Sequence, residues 1–321
     1  MALESKRPAP VVAFAYNRPD KIIRCLEALD KCNEALESEL FIYCDGPKSD
    51  AGKASVLETR RAVLEYKESS HFAKVSVIEA PENKGLAASI IGGVTEVVER
   101  YGRVIVVEDD LVVSDRFLSF MNGALDFYED QKAIGAISGY TYPIKALKGY
   151  QSDVYAMHKG DCWGWGTWKD RWDKASWAEV DYDRYFADKA LRRRFENTEN
   201  LWDMAMIRQS QGKINSWAIR WCLYLFNNGL LTVYPRYSLV TNAGFDGSGT
   251  HSNKAEERLY YSDNSLGDGE IQFKVLTPDR TLEKEAASFP RKGISAGVRY
   301  CLKRLYTLGF DISRLIKGKK R

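Results

Sequence analysis

Apolar residues are distributed along this chain in two alternating rhythms. Short runs with few polar breaks, Val11 to Tyr16, Leu40 to Cys44, Val75 to Ile78 and Val104 to Val107, read as strands, the first of them buried and the last buried on both faces. Between them the spacing turns helical. Ile22, Ile23, Leu26 and Leu29 follow the turn Asn17-Arg18-Pro19-Asp20, and a second helix is expected from Asn83-Lys84-Gly85-Leu86 to Tyr101. Strand and helix in alternation predict an α/β fold with a Rossmann-like, doubly wound, mostly parallel sheet. Ligands of such sheets sit outside the carboxyl ends of the strands. Arg18, Asp45, Lys84 and Asp110 each follow a strand end and are expected around one crevice.

The second half has another texture. Ser216 to Phe226 is a mostly apolar helix with a stop signal at Asn228-Gly229, and Leu230 to Pro235 is a short strand. Five of the eight tryptophans fall between Trp163 and Trp177. Trp163 and Trp165, interleaved with glycines, are read as flat faces for a sugar ring. Trp168 and Trp172, four apart, equally fit a helix packed into the core. From Ser238 to His251, Gly244, Gly247 and Gly249 mix with hydroxyl side chains, which describes a mobile loop able to wrap an anion.

Chemistry concentrates where the fourth run ends. Glu108-Asp109-Asp110 follows Val104 to Val107 without a break, and apolar residues resume at Leu111. Three adjacent acids at a buried strand end repel one another and resist desolvation. A hard divalent cation, Mn²⁺ or Mg²⁺, that also holds phosphate oxygens would neutralise them. The plain alternative is an acidic turn in water.

The segments Phe14-Ala15-Tyr16-Asn17-Arg18, Tyr43-Cys44-Asp45-Gly46 and Val106 to Leu111, continued by Val113 and Phe117, resemble the GT-A-fold glycosyltransferases. The similarity is greatest to the group of N-acetylglucosaminyltransferase I and many bacterial polysaccharide-building enzymes, and it covers residues 9–255. It implies a catalytic domain over 1–255, with a nucleotide-sugar half at 9–145, an aromatic-rich acceptor half with a lid loop at 146–255, and a C-terminal extension at 256–321. Asp110 would bind the metal that bridges the donor diphosphate, Asp109 the ribose, and Glu108 would lie near the transferred sugar. Asp45 and Arg18, with Asn17 beside it, would face the nucleotide base and its ribose. The lid would bring His251 to the metal or to a diphosphate oxygen. Lys84 is added on physical grounds, as a cation at a helix N-terminus suited to a diphosphate; its alternative is a solvated lysine.

One departure touches the mechanism. An inverting transferase needs a carboxylate base to deprotonate the acceptor hydroxyl. In N-acetylglucosaminyltransferase I that base follows a tryptophan in the segment matching Trp217, a residue assigned here to the donor site. In this chain Ala218 and Ile219 come next, and neither takes a proton. Asp161, at the head of the tryptophan cluster, is the first candidate base, followed by Asp246 in the lid and Asp203.

Composition places the enzyme. The 321 residues suffice for one large domain or two smaller ones. No apolar run approaches the ~20 residues of a bilayer span, and the N-terminus lacks a signal-peptide core. Six cysteines show no metal spacing, and Cys25, Cys44 and Cys222 sit inside apolar patterns, as reduced thiols do. A bacterial cytoplasmic protein is expected. Residues 291–321 carry a net charge of +9 against −6 for the remainder. Val298, Cys301, Leu302 and Leu305 at helical spacing, beside Arg299, Lys303 and Arg304, predict a basic amphipathic helix. It is expected to touch anionic lipid at the inner face of the cell membrane; the alternative is a helix packed on the catalytic domain. No nucleic-acid partner is expected, because the basic charge is confined to this tail.

The expected activity is metal-dependent transfer of a hexosyl or N-acetylhexosaminyl group, with inversion. The donor would be a nucleoside-diphosphate sugar, here a UDP-sugar, and the acceptor a glycan or lipid-linked glycan of bacterial surface polysaccharide. Two rivals are weighed. A sugar nucleotidyltransferase needs a Gly-rich loop after its first strand, and Phe14 to Pro19 has no glycine. A non-catalytic carbohydrate-binding protein has no use for an intact acid triplet.

Overall fold

A computed structural model describes residues 7–177, 180–199, 202–244, 271–288 and 294–318. The strands are β1 Val11–Ala15, β2 Glu39–Cys44, β3 Lys74–Glu79, β4 Arg103–Glu108, β5 Leu111–Val113, β6 Ile134–Ser138, β7 Val154–Met157, β8 Trp165–Trp168, β9 Leu231–Pro235 and β10 Val240–Asn242. Eight of them form one mixed, mostly parallel sheet in the order β3-β2-β1-β4-β8-β6-β9-β7. Within it β7 and β8 run antiparallel to their neighbours. The other two, β5 and β10, pair as a separate antiparallel ribbon.

Alternation along β1 and β4 explains why they lie at the centre. Val11, Ala13 and Ala15 join Ile105 and Val107 in one core, while Val12 and Phe14 join Val104 and Val106 in the core of the opposite face. Both sides of each strand are therefore removed from water, at about 1.5–3 kcal/mol for each large aliphatic side chain. The helices that cover the sheet include α1 Pro19–Leu29, α2 Asp50–Ser69, α3 Leu86–Tyr101 and α4 Phe117–Tyr128. Pro19 opens α1, whose buried stripe is Ile22, Cys25, Leu26 and Leu29. The long α2 escapes a reading by pattern because few of its twenty residues are buried, among them Val56, Val63 and Tyr66.

The tryptophan-rich segment departs from expectation. Trp165 to Trp168 is the strand β8, wedged between β4 and β6, and not an exposed loop. Its Gly166 is there for space: a Cβ would lie 2.9 Å from the Val104 carbonyl oxygen and 3.1 Å from Met121. After it come α5 Lys169–Trp172, α6 Tyr182–Ala187, α7 Lys189–Glu196, α8 Trp202–Ser210 and α9 Trp217–Asn227. Gly229 then takes a φ of 63° after the C-terminus of α9, the left-handed conformation that favours glycine there.

The chain ends with α10 Arg280–Ser288 and α11 Ile294–Gly318. Leu282 and Ala286 of α10 belong to the main core, and Phe273 packs against Phe120, Phe127 and Tyr128. Among the described residues no helix is long and apolar enough to cross a membrane.

Candidate active site

The sheet register brings three segments to one edge. Phe14 is aligned with Tyr43 of β2 and with Glu108 of β4, so the residues that follow β1, β2 and β4 emerge side by side at their carboxyl ends. Antiparallel β8 begins at the same level, with Trp165 opposite Val106. That places residues 161–164 beside the end of β4.

At this edge Arg18 joins two of the acids. Its Nη2 bonds Asp109 Oδ1 and lies 3.2 Å from Asp110 Oδ2, and Nε donates to Asp109 Oδ2 at 3.1 Å. Burial alone would lower the Arg18 pKa, but pairing with Asp109 and Asp110 leaves it raised. One guanidinium does not balance three carboxylates. Burial, then Asp110 and Asp109, push the Glu108 carboxyl up to about 8, and burial raises Asp109 despite Arg18.

A strap closes over this cluster. The β5–β10 ribbon delivers Ala243 to the Asp110 carbonyl, with its N–H donating at 2.7 Å. Lys21 of α1 holds the Ala243 carbonyl from the other side. Gly244 then lies so close that a Cβ would meet Asp110 Oδ2 at 2.5 Å. Lys21 did not stand out in the sequence, and Gly244 did so only as one glycine of a loop, since only the fold brings residue 243 to residue 110. Asp246 and His251 lie outside the described residues.

Asp45 has a different occupation from the one expected. Its Oδ1 accepts the N–H groups of Gly46 at 2.9 Å and Lys84 at 2.8 Å. Its Oδ2 accepts from Gly85 N–H at 2.9 Å and Asn83 Nδ2 at 3.0 Å. Four donors use the full acceptor capacity of a carboxylate. Asp45 thus ties the loop before α3 to the end of β2, and no lone pair is left over to bind a nucleotide base directly. Arg60 braces the same loop through the carbonyls of Asp45 and Ala80, at 3.2 and 2.5 Å. The sequence carried no signal for this bracket beyond Asp45 itself. The Lys84 side chain is exposed at the start of α3, and Asn17 is exposed in the β1–α1 turn.

Asp161 is buried in the loop beside β4. Tyr142 Oη donates to its Oδ2 at 2.5 Å, and the Trp163 N–H donates to Oδ1 at 2.8 Å. Burial raises its pKa from 3.8 to about 6, opposed by those two bonds and by Lys159. The Cys162 thiol is pushed well above its ordinary range by burial, then by Asp161, Glu108 and Asp110. One side chain therefore lies within electrostatic reach of both Asp161 and the acid cluster.

Two other expected residues have structural positions. Asp203 lies in α8 with both carboxylate oxygens held by Arg192, each at 2.9 Å. It is consumed by a buried ion pair, which leaves it poorly suited to act as a base. Trp217 is 3 % exposed and stacks on Trp165 with ring centroids 5.1 Å apart. Trp165, Trp172 and Trp221 are buried in the same cluster. These rings fill the core beneath α9 and offer no platform to a sugar. Trp163, partly exposed and edge-on to Tyr140 at 4.5 Å, is the tryptophan nearest in sequence to Asp161.

Among the described residues no three His, Cys, Asp or Glu side chains converge on one metal position. A cation that keeps diphosphate oxygens and water needs only one or two carboxylates. The undercompensated pair Asp109 and Asp110 fits such a hard divalent ion.

Comparison with known proteins gives little beyond this geometry. No family model matches the chain, and no curated protein matches it. A solved structure of residues 1–349 of S. aureus TarS is similar at 13% identity and a TM-score of 0.30. The similarity covers 40% of this chain and 34% of that one.

Proposed function

We propose that the protein is a metal-dependent glycosyltransferase of GT-A type that takes its sugar from a nucleoside-diphosphate donor, with uridine diphosphate as the carrier. One observation carries this reading: three carboxylates at the carboxyl end of the central strand β4, with Arg18 their one cationic partner among the described contacts, under a strap that touches Asp110. Such a surplus of negative charge attracts a divalent cation, and the cation in turn attracts a diphosphate.

In this reading Asp110 holds Mn²⁺ or Mg²⁺, and Asp109 and Arg18 face the ribose and phosphates. When bound, the metal supplies a positive charge for the departing diphosphate. Asp161 takes the proton of the acceptor hydroxyl as that oxygen attacks the anomeric carbon. The bond from that carbon to the diphosphate oxygen breaks, with inversion. Tyr142 and the Trp163 N–H orient the carboxylate. The acceptor is a glycan or lipid-linked glycan of a bacterial surface polysaccharide. The carbohydrate-binding alternative loses Trp165 as a face for a sugar ring, since that residue lies in the core.

Calorimetry with a UDP-sugar tests the donor half. The wild type should bind far more tightly with Mn²⁺ than without, and Asp110→Ala should abolish the metal-dependent part while keeping the fold by circular dichroism. Metal-dependent affinity that survives in Asp110→Ala would remove the assignment.

A further inference from the structure

The last helix is docked in an unexpected sense. Three of its charged residues face the protein: Lys303 bonds Glu196 of α7, Asp311 accepts from Arg192 at 2.8 Å, and Arg314 bonds Asp183 of α6 at 2.8 Å. Tyr306 Oη reaches Gln211 at 3.0 Å, and Phe310 packs on Phe186 with centroids 4.7 Å apart. Five of its aliphatic residues face outward. Leu302, Leu305, Leu308, Ile312 and Ile316 are 48 to 66 % exposed. At 100° per residue these five fall within an arc of about 120° and extend for about 21 Å. Lys303, expected among the outward cations, is turned in.

We propose that this outward face of α11 rests on an anionic lipid surface. A stripe of Leu and Ile in line with the helix axis has the dimensions of an interfacial helix, which buries its apolar face at the boundary of headgroups and acyl chains. Charge selects the occupant. Arg304 is exposed beside the stripe, and Asp311, the single acid of residues 291–321, is bound to Arg192. Arg291 and Lys292 precede the helix, and Lys319, Lys320 and Arg321 follow it. Such a tail is drawn to anionic headgroups, whereas two copies meeting through it would bring two basic segments together. The stripe also lacks the aromatic anchors that dominate protein interfaces. The inference does not depend on the transferase reading.

Co-sedimentation of the full chain with vesicles tests it, using phosphatidylcholine alone and an equal mixture with phosphatidylglycerol. The wild type should sediment with the mixed vesicles, less so at high salt, and not with phosphatidylcholine. The double variant Leu305→Ser, Ile312→Ser changes only exposed positions and should bind about tenfold more weakly or worse. Leu57→Ser, an exposed leucine on α2, should bind as wild type. An environment-sensitive dye on exposed Cys301 should shift to the blue on the mixed vesicles, with Cys301→Ser as the labelling control. Three outcomes overturn the proposal. They are no vesicle binding, undiminished binding by the double variant, or a wild-type dimer that the double variant converts to monomer without any lipid effect.

Discussion

Asp161 is one carboxyl group with two consequences for pH. As a base it acts only when ionised, so turnover should rise through a pH of about 6, the value to which burial brings it, and level off above. Asp161→Asn should lower turnover by about 10²–10⁴-fold with little change in donor affinity. Stability should move the other way. The folded pKa lies above the 3.8 of the free group, so the folded chain holds this proton more tightly. That contribution is complete below a pH of about 4 and is lost as pH rises through about 6. Relative to Asp161→Asn, the wild type should lose on the order of 3 kcal/mol between those limits. Denaturant melts of both proteins at acid and neutral pH measure the difference, and a constant difference would contradict the assignment.

At the scale of elements, the ribbon of β5 and β10 governs access to Asp110. Gly244→Ala places a methyl group 2.5 Å from Asp110 Oδ2, a distance that side chains do not tolerate. Asp110 or the strap must shift. Overpacking of this kind costs about 1–3 kcal/mol, and metal-dependent donor binding should fall about tenfold or more, since coordination requires tight placement of its ligand. Titration of the variant with Mn²⁺ and a UDP-sugar, compared with its melting temperature, separates the two effects. Other elements were hard to read for a related reason. In β8 the four residues Trp165-Gly166-Thr167-Trp168 are buried on both faces, so they carry no alternation that marks a strand. Their glycine, which resembles a loop signal, answers to the nearness of the Val104 carbonyl and Met121.

Across the whole molecule, Arg192 of α7 joins α8 to the last helix. It is buried, and it binds Asp203 of α8 with two nitrogens and Asp311 of α11 with a third. Their pairing raises its pKa well above the ordinary value despite burial. Arg192→Ala leaves Asp203 buried without its partner, a loss of about 3–5 kcal/mol. The variant should unfold at lower denaturant, and α11 should become susceptible to limited proteolysis before the sheet does. Cleavage no faster than in wild type would show that Lys303 and Arg314 hold the helix by themselves.

Local chemistry was legible in the residues alone. The runs at Val11, Leu40 and Val104 are apolar enough for the inside of a sheet, and three successive acids after Val107 need a compensating charge once they lie at a buried strand end. From these follow the strands, their parallel arrangement and the edge that bears Arg18, Asp45 and Asp110. Partnership was not legible, because it joins residues far apart in the chain. The four donors on Asp45, the capture of Asp203 by Arg192, and the approach of Gly244 to Asp110 all depend on which surfaces meet. So does the orientation of α11: helical spacing separates its apolar stripe from its polar face, but only docking onto Glu196, Arg192 and Asp183 decides that the apolar stripe is the one left outside.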